Sequence, residues 1–422
     1  MSLVAPPTTT LSLDEINPAG FDFWLRDDVH GAFARLRRER PVAWHQHPDS
    51  GRGFWSLTRY DDVAAATRDW ETFSSSYGIQ AMTDIEDMQR LTAIRSMIST
   101  DPPKHTKLRS VVNRGFTPKM VARAEESVRR RAREIVDAVA PKGEIEFVSE
   151  VASVLPVAII CDMVGVPEPD RPRLLDLTNR LLGGGDAEFG GTKESLRRAG
   201  EEMRDYGLWL ARQRLEHPED DLTTTLVHAQ IDGEAMPPED LGPFFLLLIA
   251  AGNETTRNAI SHGLWALTQF PDEKRRWLED LHGRAATASE EIVRWASPVL
   301  HMRRTLSRDV TFAGVEMRAG DKVAMWYVSA NRDETHFDDP HRFDVTRAPN
   351  EQGAFGTGGP HFCLGSHLAR REVVVMFTEL LSRLPDIEAT AAPERLRSNF
   401  IHGVKRLPAA FEPRRGASLS RE

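Results

Sequence analysis

The stretch "GAFGTGGPHFCLGSHLARRE", residues 353–372, carries Cys363, one of only two cysteines in the 422-residue chain. Glycines stand ahead of it at 353, 356, 358 and 359, and a helical pattern, "LARREVVVMFTELLSRL", runs over 368–384. Glycine lets a chain turn tightly and lets backbone close on a flat ligand. A thiol at the start of a helix meets the positive end of the dipole and free N–H donors, which favour the thiolate. Taken alone, such a cysteine reads as a buried, inert residue in a tight turn. Four glycines and an adjoining His361 weigh against that reading.

No second cysteine lies nearby, so zinc or iron–sulfur ligation is not favoured, and a single axial thiolate to heme iron fits better. Working outward, the formal net charge of −9 argues against a nucleic-acid protein, which usually carries a basic face. Cys161 and Cys363 cannot form a disulfide framework, so a reducing compartment is expected. The first twenty residues show no signal-peptide pattern. The longest apolar run, Phe244–Ala251, is far short of the ~20 residues that span a bilayer. These features predict a cytoplasmic protein that does not span a membrane.

Helical periodicity dominates, as in "SVVNRGFTPKMVARAEESVRRRAREIVDAVA" (110–140) and "EEMRDYGLWLARQRLEH" (201–217). Strand-like pieces are few: "GFWSLTRY" (53–60), "VTFAGVEM" (310–317) and "KVAMWYV" (322–328). The pattern predicts a mainly α domain with small sheets near residues 40–60 and 300–330. Flexible loops are expected at 74–88 and in the glycine-rich 181–191.

Three more constellations stand out. In "LGPFFLLLIAAGNETTRNAISHGLWALTQF" (241–270) a buried helical pattern holds Asn253, Glu254, Thr255 and Thr256 in apolar surroundings. Buried polar groups need partners or a task, and threonine can also bend a helix by bonding back to a carbonyl. In "EEIVRWASP" (290–298), Glu291 and Arg294 share a helix face at i and i+3, in themselves an ordinary ion pair. His105 and Arg109, spaced i and i+4, and the pair Arg303 and Arg304 are equally consistent with solvated surface charge.

Together these features resemble the cytochrome P450 family over about residues 20–410. The loop around Cys363 is similar to that family's heme signature, Phe-Gly-x-Gly-x-His-x-Cys-x-Gly. The resemblance implies one α-rich P450 domain (20–412) around a buried heme b, an extension at 1–19 and a tail at 413–422. It implies Cys363 as axial ligand to the heme iron, with Gly365 against the cofactor. His105, Arg109, Arg304 and His361 would receive the heme propionates, with Arg303 the lesser choice. Ala251 and Gly252 would open space for dioxygen. Glu254 and Thr255 would form the acid–alcohol pair that relays protons. Glu291 and Arg294, completed by Arg342 of "PHRFD" (340–344), would brace the pocket.

A narrower likeness runs through "AGNETTRNAI", "EEIVRWASPV", "MRRTL", "SANRDE" and "FIHGVKRLP". These stretches resemble mycobacterial and related actinobacterial members that hydroxylate methyl-branched lipids at the chain end, with sterol side-chain oxidisers as neighbours. Phe355 stands eight residues before Cys363, one more than the common pattern, and that extra residue is shared with the same subgroup. The likeness implies a long apolar substrate pocket, with candidates Met97, Ile98, Leu247, Ala251, Val299 and Phe400. The expected activity is a monooxygenase using O2 and electrons from a separate ferredoxin and its reductase. Arg109, Arg114, Lys119, Arg123, Arg370 and Arg371 are candidates for a docking patch. The rivals are a secondary-metabolite or steroid hydroxylase, a peroxygenase, and a non-enzymatic heme- or lipid-binding protein.

Overall fold

In the computed structural model, the described residues are 8–47, 53–80, 96–115, 118–236 and 238–414. Helix dominates, as the periodicity predicts. A 32-residue helix, Pro238–Gln269, forms the axis of the molecule. Packed on it are the helices Val154–Val164, Lys193–Glu216, Ala285–Ala296 and Ser366–Arg383. A Cβ placed at Gly263 would stand 2.6 Å from the Phe377 ring. Only glycine there lets the central helix close on the helix that follows Cys363. Phe377, Trp277 and Leu264 are fully buried at this junction. Burial of such a side chain contributes about 1.5–3 kcal/mol.

Within the long pattern over 110–140 the described residues up to Val139 lie in the helices Lys104–Gly115 and Pro118–Val139. The two expected sheets merge into a single five-stranded sheet, in the order Val42–Gln46, Gly53–Leu57, Lys322–Trp326, His301–Leu306, Phe73–Ser74. Gly53–Leu57 runs parallel to Lys322–Trp326, and this pairing joins the two ends of the chain. Val310–Phe312 and Val315–Met317 form a separate two-stranded hairpin.

The glycine-rich 181–191 segment holds a short helical turn, Ala187–Phe189. Buried Asp186 pins it by accepting from the backbone N–H groups of Glu188 and Arg397 and pairing with Lys405. Most of the expected loop at 74–88 lies outside the described residues, as do most of the expected N-terminal extension's first residues, 1–7, and the tail from 415. Among the described residues, no helix is long and apolar enough to cross a membrane.

Candidate active site

A cavity of about 260 Å³, partly open to solvent, separates the central helix from the Cys363 loop. The central helix presents Leu247, Ala251, Thr255 and Ala259 to it. These positions recur every four residues and so share one face. On the other side stand Cys363, Leu364, Gly365 and Leu368. Met302 and Arg304 reach in from the strand His301–Leu306, as alternation requires. Arg303 points the other way and donates to Thr305 Oγ1 at 3.0 Å. The strand therefore selects Arg304 of the two neighbouring arginines.

The cysteine loop is closed by the Cys363 N–H, which donates to Phe355 O at 2.9 Å. Arg370 lies over the Phe355 ring at 4.4 Å and pairs with Glu290. The glycines divide by role. Gly356 and Gly365 face the cavity, and a Cβ on Gly365 would meet no protein atom within 4 Å. Gly359, at φ +73°, instead packs on the helix Tyr60–Arg68, where a Cβ would fall 2.4 Å from Thr67 O. The glycines in the region of the extra residue fit the loop to a neighbouring helix.

Burial pushes the Cys363 thiol above its ordinary range, while a hydrogen bond from the Gly365 N–H and the charges of Arg109 and Arg370 pull the other way. The Gly365 N–H at the helix start thus acts in the direction expected from the sequence, and coordination to a cation would deprotonate the thiol outright.

Four polar groups converge at one end of the cavity. His105 and His361 lie against each other, with ring centroids 4.2 Å apart and planes tilted by 48°. His105 Nδ1 and His361 Nε2 are buried without a hydrogen-bond partner. Burial, aided by nearby arginines, holds the two imidazoles at about 4 and about 3, so both are neutral at pH 7. Arg304 is buried, and neither it nor Arg109 has an ion-pair partner among the described residues. Arg109 Nη1 donates to Pro360 O at 3.1 Å. Buried cations without counter-charges are costly. Unsatisfied donors together with two such cations suit a ligand bearing carboxylates, and the thiol and the open Gly365 face suit a flat metal-bearing ring. The residues present fit a heme.

The acid–alcohol pair is split between two faces. Thr255 lines the cavity and its hydroxyl donates to Ala251 O at 2.8 Å, so it bends back on the helix while its lone pairs face inward. Glu254 is 1 % exposed and does not line the cavity. Arg257 Nη2 donates to its Oε2 at 2.5 Å, and Arg257 Nη1 donates to Asn179 Oδ1. Burial raises the Glu254 carboxyl despite Arg257. Gly252 touches the cavity, but its missing Cβ accommodates Ile160, whose Cγ1 would lie 2.9 Å away. Much of the space expected for dioxygen at Gly252 is therefore filled by Ile160.

Glu291 and Arg294 form a fully buried, two-point ion pair, both bonds 2.7 Å. Arg294 Nη1 donates to Asn331 O, and Asn331 Oδ1 accepts from the Gly353 N–H at 2.7 Å. The pair is thereby tied to the start of the cysteine loop. The second arginine on Glu291 is Arg347, at 3.1 Å, rather than the expected Arg342. Arg342 offers its backbone carbonyl to Arg294, while its side chain turns outward to Glu273 and Asp344.

Met97, Ile98, Leu247, Ala251 and Val299 all line the cavity. Phe400 does not. It sits behind Val299 in a small cluster with Leu396 and Ile401. Sequence reading missed Met163, Met302, Tyr327 and Glu372 on the wall. Met302 was recoverable from its spacing to Arg304; the others carried no local signal. Of the docking candidates, Arg123 is exposed beside Asp220, and Arg371 approaches Glu125. The side chains of Arg114 and Lys119 lie outside the described residues. Cys161 is fully buried, and its thiol is pushed up to about 12, as befits a core residue.

The family model described as Cytochrome P450 matches residues 286–389. The methyl-branched lipid omega-hydroxylase of Mycobacterium tuberculosis is 46 % identical over 415 residues, covering 96 % of each chain. The steroid C26-monooxygenase of Mycolicibacterium smegmatis is 36 % identical, covering 92 % of this chain and 91 % of the relative. Among solved structures, a Mycobacterium marinum cytochrome P450, CYP268A2, in complex with pseudoionone superposes with a TM-score of 0.87. It is 40 % identical, and the match covers 97 % of this chain and all of that one.

Proposed function

Because the chain belongs to the cytochrome P450 family, we propose that it is a heme-thiolate monooxygenase that hydroxylates the end of a methyl-branched fatty acid or isoprenoid lipid. The observation that carries this reading is the cavity itself. Met97, Ile98, Leu247 and Val299 make its wall apolar, and Ala251 and Thr255 stand across from Cys363. An extended hydrocarbon gains affinity from such a surface, at roughly 25 cal/mol per Å² buried. Relatives named as methyl-branched lipid omega-hydroxylases support the substrate class. Steroid C26-monooxygenases make side-chain oxidation of a sterol the second reading.

The family implies a heme held by a cysteine thiolate. When bound, that group supplies dioxygen binding and activation, with the thiolate favouring O–O cleavage. This chain's residues do the rest. Cys363 provides the thiolate ligand. Arg109, Arg304, His105 and His361 neutralise and hydrogen-bond the propionates, which fixes the ring in the cavity. The Thr255 hydroxyl, anchored on Ala251 O, accepts and passes protons at the cavity face. The apolar wall of Met97, Ile98, Leu247 and Val299 excludes water and would orient an extended hydrocarbon within the cavity. We assign electron delivery to a ferredoxin and its reductase, docking on the face of Arg109, Arg123, Arg370 and Arg371.

The test is a spectral titration of the heme-loaded protein with methyl-branched fatty acids, straight-chain fatty acids and cholestenone, followed by product analysis with a ferredoxin, its reductase and NADPH. Branched acids are expected to shift the heme to high spin and to yield terminal alcohols. A response to steroids alone would replace the lipid reading with the steroid one. Turnover with hydrogen peroxide but none with the electron-transfer chain would make the protein a peroxygenase.

A further inference from the structure

The residue before the buried Glu291 is also a glutamate, and it faces different partners. Glu290 lies part-buried on the helix Ala285–Ala296. Its carboxylate meets both Nε and Nη2 of Arg370, on the helix Ser366–Arg383. It also accepts from Gln352 Nε2 at 3.0 Å, and Gln352 Oε1 accepts from the Ala354 N–H at 2.7 Å. One carboxylate therefore holds both ends of the cysteine loop. Between those ends stands Phe355. Its carbonyl accepts from the Cys363 N–H at 2.9 Å, and its ring carries the Arg370 guanidinium, 4.4 Å from the centroid. Phe355 lines the cavity and Arg370 does not, so the charge stands behind the ring. A planar guanidinium lies on a ring and bonds a carboxylate in its own plane at once, a geometry no flexible ammonium is shaped for. The charges of Arg109 and Arg370 both favour the ionised form of Cys363. Of the two, only Arg370 has a carboxylate partner among the described residues.

We infer that the Glu290–Arg370 pair sets how strongly Cys363 donates to the heme iron, Arg370 drawing charge onto the sulfur and Glu290 offsetting that pull. The inference rests on the heme-thiolate reading above. A positive charge near the sulfur stabilises its negative charge, which leaves it a weaker donor and favours the reduced iron. A negative charge beside that cation does the reverse. The two side chains hold the same loop together, yet they act on the iron with opposite signs. Both act through Cys363 and are therefore positioning residues. The step concerned is the one-electron reduction of ferric iron to ferrous. Its electron comes from the ferredoxin in turnover, and no bond to Cys363 forms or breaks.

The test is an equilibrium reduction of the heme-loaded full chain with dithionite and mediator dyes. It compares wild type, Glu290→Gln, Arg370→Gln, Arg370→Lys and the variant carrying both glutamines. At a fixed potential, Glu290→Gln is expected to hold about three- to ten-fold more ferrous over ferric heme than wild type, an upward shift of roughly 30–60 mV at 59 mV per ten-fold for one electron. Arg370→Gln is expected to shift about as far downward and Arg370→Lys less, and the double variant to return close to wild type. These potentials do not involve the ferredoxin, so a loss of docking at Arg370 leaves them unmoved. Shifts of one sign in both single variants, or no shift, would overturn the inference, since a loop merely loosened responds alike to the loss of either partner. Should Glu290→Gln fail to fold, the sign for Arg370→Gln decides alone, and an upward or absent shift overturns the inference. A wild type that takes up no heme, or whose reduced carbon monoxide complex lacks the thiolate absorbance, overturns the heme-thiolate reading and the inference with it.

Discussion

Arg257 Nη2 stands 2.5 Å from Glu254 Oε2, one helical turn apart and buried on the face of the central helix that looks away from the cavity. Thr255, between them in sequence, faces the cavity. Adjacent residues of a helix point about 100° apart, so two neighbours in a motif need not share a site.

Separation of roles follows from that split. Thr255→Ala removes the only hydroxyl anchored on Ala251 O and is expected to divert electrons from alcohol to peroxide, with product per NADPH falling several-fold. Arg257→Leu leaves Glu254 buried and unpaired, so it is expected to lower the melting temperature more than it lowers coupling. Peroxide yield and calorimetry on the two variants distinguish these effects. Equal uncoupling by both would return Glu254 to the proton path.

Arg347 and Arg342 should differ in the same assay. Arg347 donates to the fully buried Glu291, whereas the Arg342 side chain is part-exposed and pairs with Glu273, which keeps Arg276 without it. Taking one partner from a buried ion pair costs about 3–5 kcal/mol, and surface pairs contribute about 0–1 kcal/mol. Glu291 retains Arg294, so Arg347→Ala should fall towards the lower part of the larger range. Thermal unfolding of both alanine variants checks it, and a greater loss from Arg342→Ala would refute the assignment.

The heme-free chain should lose stability as pH falls. His105 and His361 are neutral in the fold, held at about 4 and about 3, and return to 6.5 on unfolding. The unfolded chain then takes up protons first. Their stabilising contribution is complete above about 6.5 and declines as pH drops towards the folded values. Replacing both with glutamine should make the decline shallower, though other buried histidines, such as His262 and His301, keep part of it. Melting temperature against pH for the apoproteins gives the comparison.

Substrate contacts divide along the cavity wall. Val299→Phe narrows the lined space and is expected to weaken branched-lipid binding about ten-fold, read by spectral titration. Phe400→Ala, behind Val299, should instead lower stability by about 3–5 kcal/mol with little direct effect on affinity. A larger affinity change from Phe400→Ala would place that ring at the cavity.

The cysteine loop, the central helix and the cavity cations Arg109 and Arg304 were legible because each is a short segment whose chemistry depends on residue type and local spacing. Arg304 was separated from Arg303 by a pattern match, and the strand explains why: side chains alternate, and only one of two neighbours can face inward. Phe400 and Arg342 were misplaced for the converse reason. Their neighbours, Val299 and Glu273, come from distant parts of the chain, and spacing carries no information about them.

The sequence by itself determined the family and singled out Cys363, His105, Arg109, Arg304 and His361, which line one cavity, since helix starts, glycine turns and i, i+4 spacing act locally. Only the tertiary structure decided which acid faces the cavity. Glu254 and Glu372 are both carboxyls on buried helices, and nothing near either in sequence tells them apart. Arg257 and Asn179 hold the one away, while the closure of the central helix on Phe377 through Gly263 brings the helix of the other against the cavity wall. That outcome depends on how two helices pack, which is a property of their facing surfaces.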